Sequence, residues 1–206
     1  MQERARLTRG ALLQAAAVEF DCFGYSGTSL SRISGAAEVT MGALTFHFHS
    51  KTALADAVRR QGVLATRPLL LPGAVAGPVE LIESLIDLLQ TDVEVRAAAR
   101  LTREQPDDPH NWYAAWEQAL RALAQQVGRV RPLPGQEEES VTALVQLGQS
   151  LVVGAEATRR GLVGSDPTHD QWPTGQLPDL MRRVLRCAFD GSRILQSVID
   201  EASPGF

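Results

Sequence analysis

Residues 28–58 read TSLSRISGAAEVTMGALTFHFHSKTALADAV, and the fold turns on how this stretch punctuates itself. Thr28 or Ser29 can open a short helix whose buried face is marked by Leu30, Ile33, Ala36 and Ala37. Hydroxyl side chains at such a position accept hydrogen bonds from the first free N–H groups of a helix. Glu38-Val39 makes a brief turn, Thr40 caps a second short helix from Met41 to His47, and Ser50 caps a longer one from Lys51 to about Thr66. Leu44 and Phe48 lie four residues apart and so point from the second helix toward one core. Two short helices joined by a tight turn form a helix-turn-helix, whose second helix enters the major groove of DNA. Here that helix exposes Thr40, Met41, Thr45, Phe46 and His47, while Gly42 leaves room for close backbone approach.

Upstream, Leu13, Ala16, Ala17, Phe20 and Phe23 recur at helical spacing and predict a first helix from about Arg6 to Cys22. Gly24 is expected to stop it in a left-handed conformation. Downstream, Arg67-Pro68 and the stretch from Pro72-Gly73 to Gly77-Pro78 break the pattern. Helices then follow near 79–91, 93–104, 110–129, 138–161 and 178–201, and no strand-like alternation of useful length occurs. The fold class is all-α. The expected organisation is an N-terminal three-helix helix-turn-helix domain, residues 1–50, and a larger helical domain, residues 51–206.

The chain has 206 residues, 44% hydrophobic and 21% charged, the make-up of an ordinary soluble globular protein. No apolar run approaches the roughly 20 residues of a membrane span. The start, MQERARLTRG, lacks the apolar segment of a secretory signal, so a cytoplasmic, nucleoid-associated location and no membrane partner are expected. The net charge of −4 argues against nucleic acid until its distribution is read. Residues 1–60 carry seven basic and five acidic residues, and residues 61–206 thirteen and nineteen. DNA would repel the acidic remainder and orient the basic end toward itself.

Cys22 and Cys187 sit in apolar helical patterns without a CxxC partner, so they read as buried inert thiols rather than metal ligands. His47 and His49 are two residues apart and do not share a helix face, so no metal pair forms there. Ser165, Asp166, His169 and Asp170 are close in sequence, but a polar loop explains them. No convergent acid, base or nucleophile marks an enzyme, and no catalytic residue, metal or cofactor is expected.

Two C-terminal segments carry long apolar seams. One runs through Val141, Leu144, Val145, Gly148, Leu151, Val152 and Ala155; the other through Leu180, Val184, Ala188, Leu195 and Val198. Such seams fit either an intramolecular core or the four-helix interface of a homodimer, with Val141, Leu144, Leu151, Val152, Leu180, Val184, Leu195 and Val198 as the candidate interface. Trp112, Trp116 and Leu120 share one helix face, which reads either as core or as the wall of an apolar pocket. Gln146 and Gln149 are candidates for its polar groups.

The string Val39-Thr40-Met41-Gly42-Ala43-Leu44-Thr45-Phe46-His47-Phe48-His49-Ser50-Lys51, preceded by Gly24-Tyr25, resembles the N-terminal domain of the TetR family of bacterial repressors over about residues 7–58. The stretch DVEVRAAARLTREQ, residues 92–105, followed by a helix with Trp116, is similar to the γ-butyrolactone receptor subgroup of actinomycetes. The resemblance implies a homodimer that binds a palindromic double-stranded operator and is released by a small-molecule effector bound near Trp116. Recognition helices would stand roughly 34–36 Å apart, one turn of DNA. His47 and Lys51 would project toward the duplex backbone, and Arg9, Ser29 and Arg32 would add phosphate contacts. The sequence departs from the family at Met41, where Lys is usual, at Thr45, where Tyr is usual, and at Glu38, where the turn usually has Gly. Each cation withdrawn from a phosphate lowers the salt slope of binding by roughly 0.9. Met41 and Phe46 could instead touch thymine methyl groups. A ligand-binding or dimerising module with a degenerate DNA site is therefore the competing reading.

Overall fold

The computed structural model describes residues 2–106, 109–130 and 137–163, and among them the secondary structure is helical throughout. Eight α-helices follow in order: α1 (Gln2–Gly27), α2 (Leu30–Ala36), α3 (Met41–His47), α4 (Lys51–Thr66), α5 (Pro78–Thr91), α6 (Val93–Glu104), α7 (Trp112–Val130) and α8 (Glu137–Val163). A short 3-10 turn, Arg67–Leu70, follows α4.

The capping signals place the helix starts. Ser29 accepts from the Arg32 N–H at 3.2 Å, Thr40 from Ala43 at 3.2 Å, and Ser50 from Ala53 at 3.0 Å. Thr28 does not cap α2. Its buried hydroxyl donates to the Glu19 carbonyl at 3.0 Å and ties α2 to α1. Ala36 is exposed, contrary to the periodic reading, and Ser34 is buried in its place, donating to the Ser31 carbonyl.

Gly24 bends α1 rather than ending it. Its φ of 69° and ψ of −177° interrupt the helix, which resumes as far as Gly27. The backbone hydrogen bond broken at the bend is replaced from a distance: Tyr25 N–H donates to the Glu104 carboxylate at 2.6 Å. A β-carbon at position 24 would run into Glu104 and Arg100.

Two cores share the middle of the molecule. The first gathers Leu12, Leu13, Ala16, Ala17 and Phe20 of α1 with Ile33, Leu44, Phe48 and Leu54, Ala55, Ala57 and Val58 of α4, and it takes Ala97 and Leu101 from α6. The second gathers α5, α7 and α8 around Trp112, Trp116 and Leu120, and takes Val95, Ala98 and Ala99 from α6. Helix α6 thus lies between the two. Gly62 lets α4 press against it, since any β-carbon there would meet Ala98 Cβ and the Glu94 carbonyl.

Val141 and Val152, candidates for a dimer interface, are buried in the second core beside Val145 and Ala155, so they are committed within the chain. Leu144 and Leu151 pack partly buried against the same core. Leu180, Val184, Leu195, Val198 and Cys187, and the segment with Asp166 and His169, lie outside the described residues.

Candidate nucleic-acid interface

Helix α3 is fixed from below and bare above. Leu44 is fully buried and Phe48 nearly so, and both join the first core. The Arg9 guanidinium lies over the Phe48 ring at 4.4 Å, closing that anchor from the α1 side. On the outer face Met41 is 41% and Phe46 78% exposed. Gly42 and Thr45 are exposed beside them. The Thr45 hydroxyl is turned back onto the Met41 and Gly42 carbonyls, each at 3.1 Å. His47 is partly exposed and meets the Phe46 ring edge-on at 5.2 Å.

The turn before α3 is made at a cost. Glu38 has φ 54°, the one non-glycine residue with positive φ among those described. The left-handed region costs an L-residue roughly 1–2 kcal/mol, and this side chain also sets an exposed anion beside the face that would meet phosphates.

The cations assigned to that face are largely engaged by the protein itself. Lys51 does not project freely outward: its Nζ donates to the Tyr25 carbonyl at 2.8 Å and the Thr28 carbonyl at 3.0 Å, and lies over the Tyr25 ring. It locks the α1–α2 junction to the start of α4. Arg32 donates from Nε to Glu19 at 2.7 Å and stacks over Phe23. Arg9 and Ser29 remain exposed on the flanks.

Sequence reasoning passes over the joint behind this unit. Asp21 of α1 accepts from Arg96 Nε of α6 at 2.7 Å and lies 3.5 Å from Arg159 Nη1 of α8. Arg100 donates to the Asp21 carbonyl at 2.6 Å and from Nε to Glu104 at 2.9 Å. Arg103 pairs with the buried Glu156 of α8 at 2.9 Å. Arg59, fully buried on α4, bonds Asp56 at 2.8 Å and the Gln105 side chain that follows α6. The available signal is the spacing Arg96, Arg100, Glu104, a charged stripe at i, i+4, i+8 on a helix otherwise rich in alanine. A cleft of about 320 Å³ opens at the same joint, lined by Phe23, Tyr25, Ser26, Glu104 and Gln105.

The residues assigned to a ligand pocket separate. Trp112, Trp116 and Leu120 do share a face, and all three are fully buried. The indoles meet edge to face at 5.9 Å, and Gly148 brings α8 against Leu120 and Ile82. Trp112 Nε1 donates to Thr66 at 2.8 Å, whereas Trp116 Nε1, equally buried, has no hydrogen-bond partner. Gln146 is exposed and does not turn into this core, while Gln149 is partly buried. Among the described residues no group of His, Cys, Asp and Glu could hold a metal, and no helix is long and apolar enough to cross a membrane.

Comparison with known proteins agrees with this geometry. Residues 12–58 match the family model for bacterial regulatory proteins of the tetR family. The A-factor receptor protein of Streptomyces griseus is 31% identical over 200 residues, covering 89% of this chain. The chain spans 64% of that receptor's length. Among solved structures, a gamma-butyrolactone receptor described as an ArpA-like protein is 26% identical with a TM-score of 0.63, over 89% of this chain and 97% of that one. CprB of Streptomyces coelicolor, a TetR family protein solved in complex with its operator sequence, is 28% identical with a TM-score of 0.61, over 76% of this chain and 84% of that one.

Proposed function

We propose that the chain is a tetR-type transcriptional regulator of the butyrolactone-receptor-like group, and a ligand-responsive repressor rather than an enzyme; the match of residues 12–58 to that family and the likeness to the A-factor receptor protein and to a gamma-butyrolactone receptor support this reading. It binds a palindromic operator as a homodimer and is released by a small molecule, a γ-butyrolactone-type signal or an antibiotic. Residues 1–50 carry DNA binding and residues 51–206 ligand binding and dimerisation, with α4 packed into both cores. The protein works in the cytoplasm, on the nucleoid.

The observation that carries this reading is the bare outer face of α3, held by Leu44 and Phe48 on a core that α6 shares with the tryptophan core. A change in the second core therefore has a short, packed route to the reading helix through α6, α4 and α1. The effector site is centred on Trp116. A buried indole N–H without an acceptor is costly to leave so, and an effector carbonyl would satisfy it. Ligand binding would favour a protomer arrangement with a different spacing of the two α3 helices and so lower DNA affinity.

The test is a salt titration of binding to the DNA upstream of the protein's own coding region, repeated with a γ-butyrolactone. Sequence-selective binding at low salt, weakened by the lactone, is expected. Absence of selective binding would instead favour a dimerising or ligand-binding module with a degenerate DNA site, a reading that the inward Lys51, the Glu19-paired Arg32 and the Glu38 anion support.

A further inference from the structure

We infer that α3 reads its DNA site through the methyl groups of thymine, with Met41, Thr45 and Phe46 as the specificity-determining residues; this deepens, and rests on, the operator-binding reading above.

Paired hydrogen bonds to bases need particular side chains. Guanine is read by Arg or Lys, adenine by Asn or Gln, and cytosine by Asp or Glu. Met41–His47, MGALTFH, contains none of these. The nearby cations are held away from base edges: Arg9 over the Phe48 ring, Arg32 on Glu19, and Lys51 on two backbone carbonyls. Of the flanking groups, Arg9 and Ser29 stay exposed and suit phosphates, contacts that orient a protein on DNA without reading it.

What α3 does present is apolar. Met41 and Phe46 are both exposed large hydrophobic side chains. Thr45 lies between them in sequence, and because its hydroxyl is turned back onto the helix backbone, its methyl is the outward group. His47, edge-on to Phe46, is the one side chain of α3 with a polar end left for a base or a phosphate. The apolar feature of a base edge in the major groove is the C5-methyl of thymine. A surface of thioether, methyl and phenyl groups gains by covering such methyls and offers nothing to replace the water on guanine or adenine edges.

The experiment begins by selecting binders, with the full chain, from duplexes carrying a random core of about twenty base pairs, enough for two half-sites one turn apart. Each thymine of the enriched half-site is then replaced by deoxyuridine, which removes the methyl and leaves every hydrogen-bonding group in place. Thymines are expected to recur in both half-sites. At one or more of them deoxyuridine should weaken binding about fourfold, the worth of one methyl group taken out of water. Phe46→Ala or Met41→Ala should make the thymine and deoxyuridine duplexes equal at the affected position; both side chains are exposed, so the fold does not depend on them. An enriched duplex that binds equally well with deoxyuridine at every position overturns the methyl reading and leaves operator binding standing. Failure to enrich any duplex at low salt overturns both.

Discussion

Arg96 of α6 holds Asp21 of α1 at 2.7 Å, across the boundary between the two cores. Both side chains are nearly buried, and Arg159 of α8 reaches the same carboxylate. Three helices from distant parts of the chain therefore converge on one negative charge. Isolated surface ion pairs contribute little, but removing one partner of a buried group leaves the others uncompensated. Asp21→Asn keeps the shape and removes the charge that separates two arginines. We expect it to lower unfolding free energy by about 2 kcal/mol, between the surface and fully buried cases. Urea denaturation measures this, and a decrease near zero would show that solvent screens the network.

Glu38 occupies a left-handed turn position that glycine adopts freely. Glu38→Gly should raise stability by about 0.5–1 kcal/mol, the strain relieved minus the extra freedom given to the unfolded chain. It also removes an anion beside α3, so binding to duplex DNA at low salt should tighten. A lower melting temperature, with no gain in DNA affinity, would mean that Glu38 makes a contribution its geometry does not reveal.

How far the sequence can be read depends on the range of each signal. Ser29, Thr40 and Ser50 cap the helices they are expected to cap, because a cap satisfies N–H groups three residues away. Leu44 and Phe48 are legible for the same reason. Gly24 reads as a stop because nothing nearby shows that Glu104, eighty residues on, takes up the backbone N–H freed at the bend. Lys51 reads as outward because a solvent-facing register and an inward hydrogen bond to the α1–α2 junction look alike in sequence. The α8 seam is legible as apolar, but periodicity does not say which body covers it; for Val141 and Val152 it is the chain's own second core.

Cys22 gives a chemical probe of the joint. Burial pushes its thiol above the ordinary range, and the neighbouring Asp21 and Glu19 charges push it further, against a smaller opposing effect of Arg159 and Arg96. A raised pKa means less thiolate at a given pH and slower alkylation. In a Cys187→Ser background, the iodoacetamide rate should therefore rise with pH at a midpoint above that of a free thiol. Asp21→Asn removes one raising charge and leaves both arginines, so the midpoint should fall. A midpoint at or below the free-thiol value would place Cys22 in a far more solvated setting.

The tryptophan pair sets an indole whose N–H is hydrogen-bonded, Trp112, beside one whose N–H has no hydrogen-bond partner, Trp116. Trp112 and Trp116 are both fully buried, so truncating either to alanine should cost roughly 3–5 kcal/mol through the cavity left behind. Failure of the effector response in such a variant would say little about the site. Phenylalanine is the sharper substitution, since it keeps most of the apolar volume and deletes the N–H. In Trp112→Phe a buried hydrogen bond to Thr66 disappears, whereas in Trp116→Phe no hydrogen bond is removed. Trp112→Phe should therefore be less stable than Trp116→Phe by about 1 kcal/mol, the usual net worth of one such bond. Effector sensitivity should follow the opposite order. If a lactone carbonyl takes the Trp116 N–H, Trp116→Phe binds DNA normally but needs a higher lactone concentration for release, while Trp112→Phe responds as the parent does. Equal lactone sensitivity in all three proteins would remove Trp116 from the effector site.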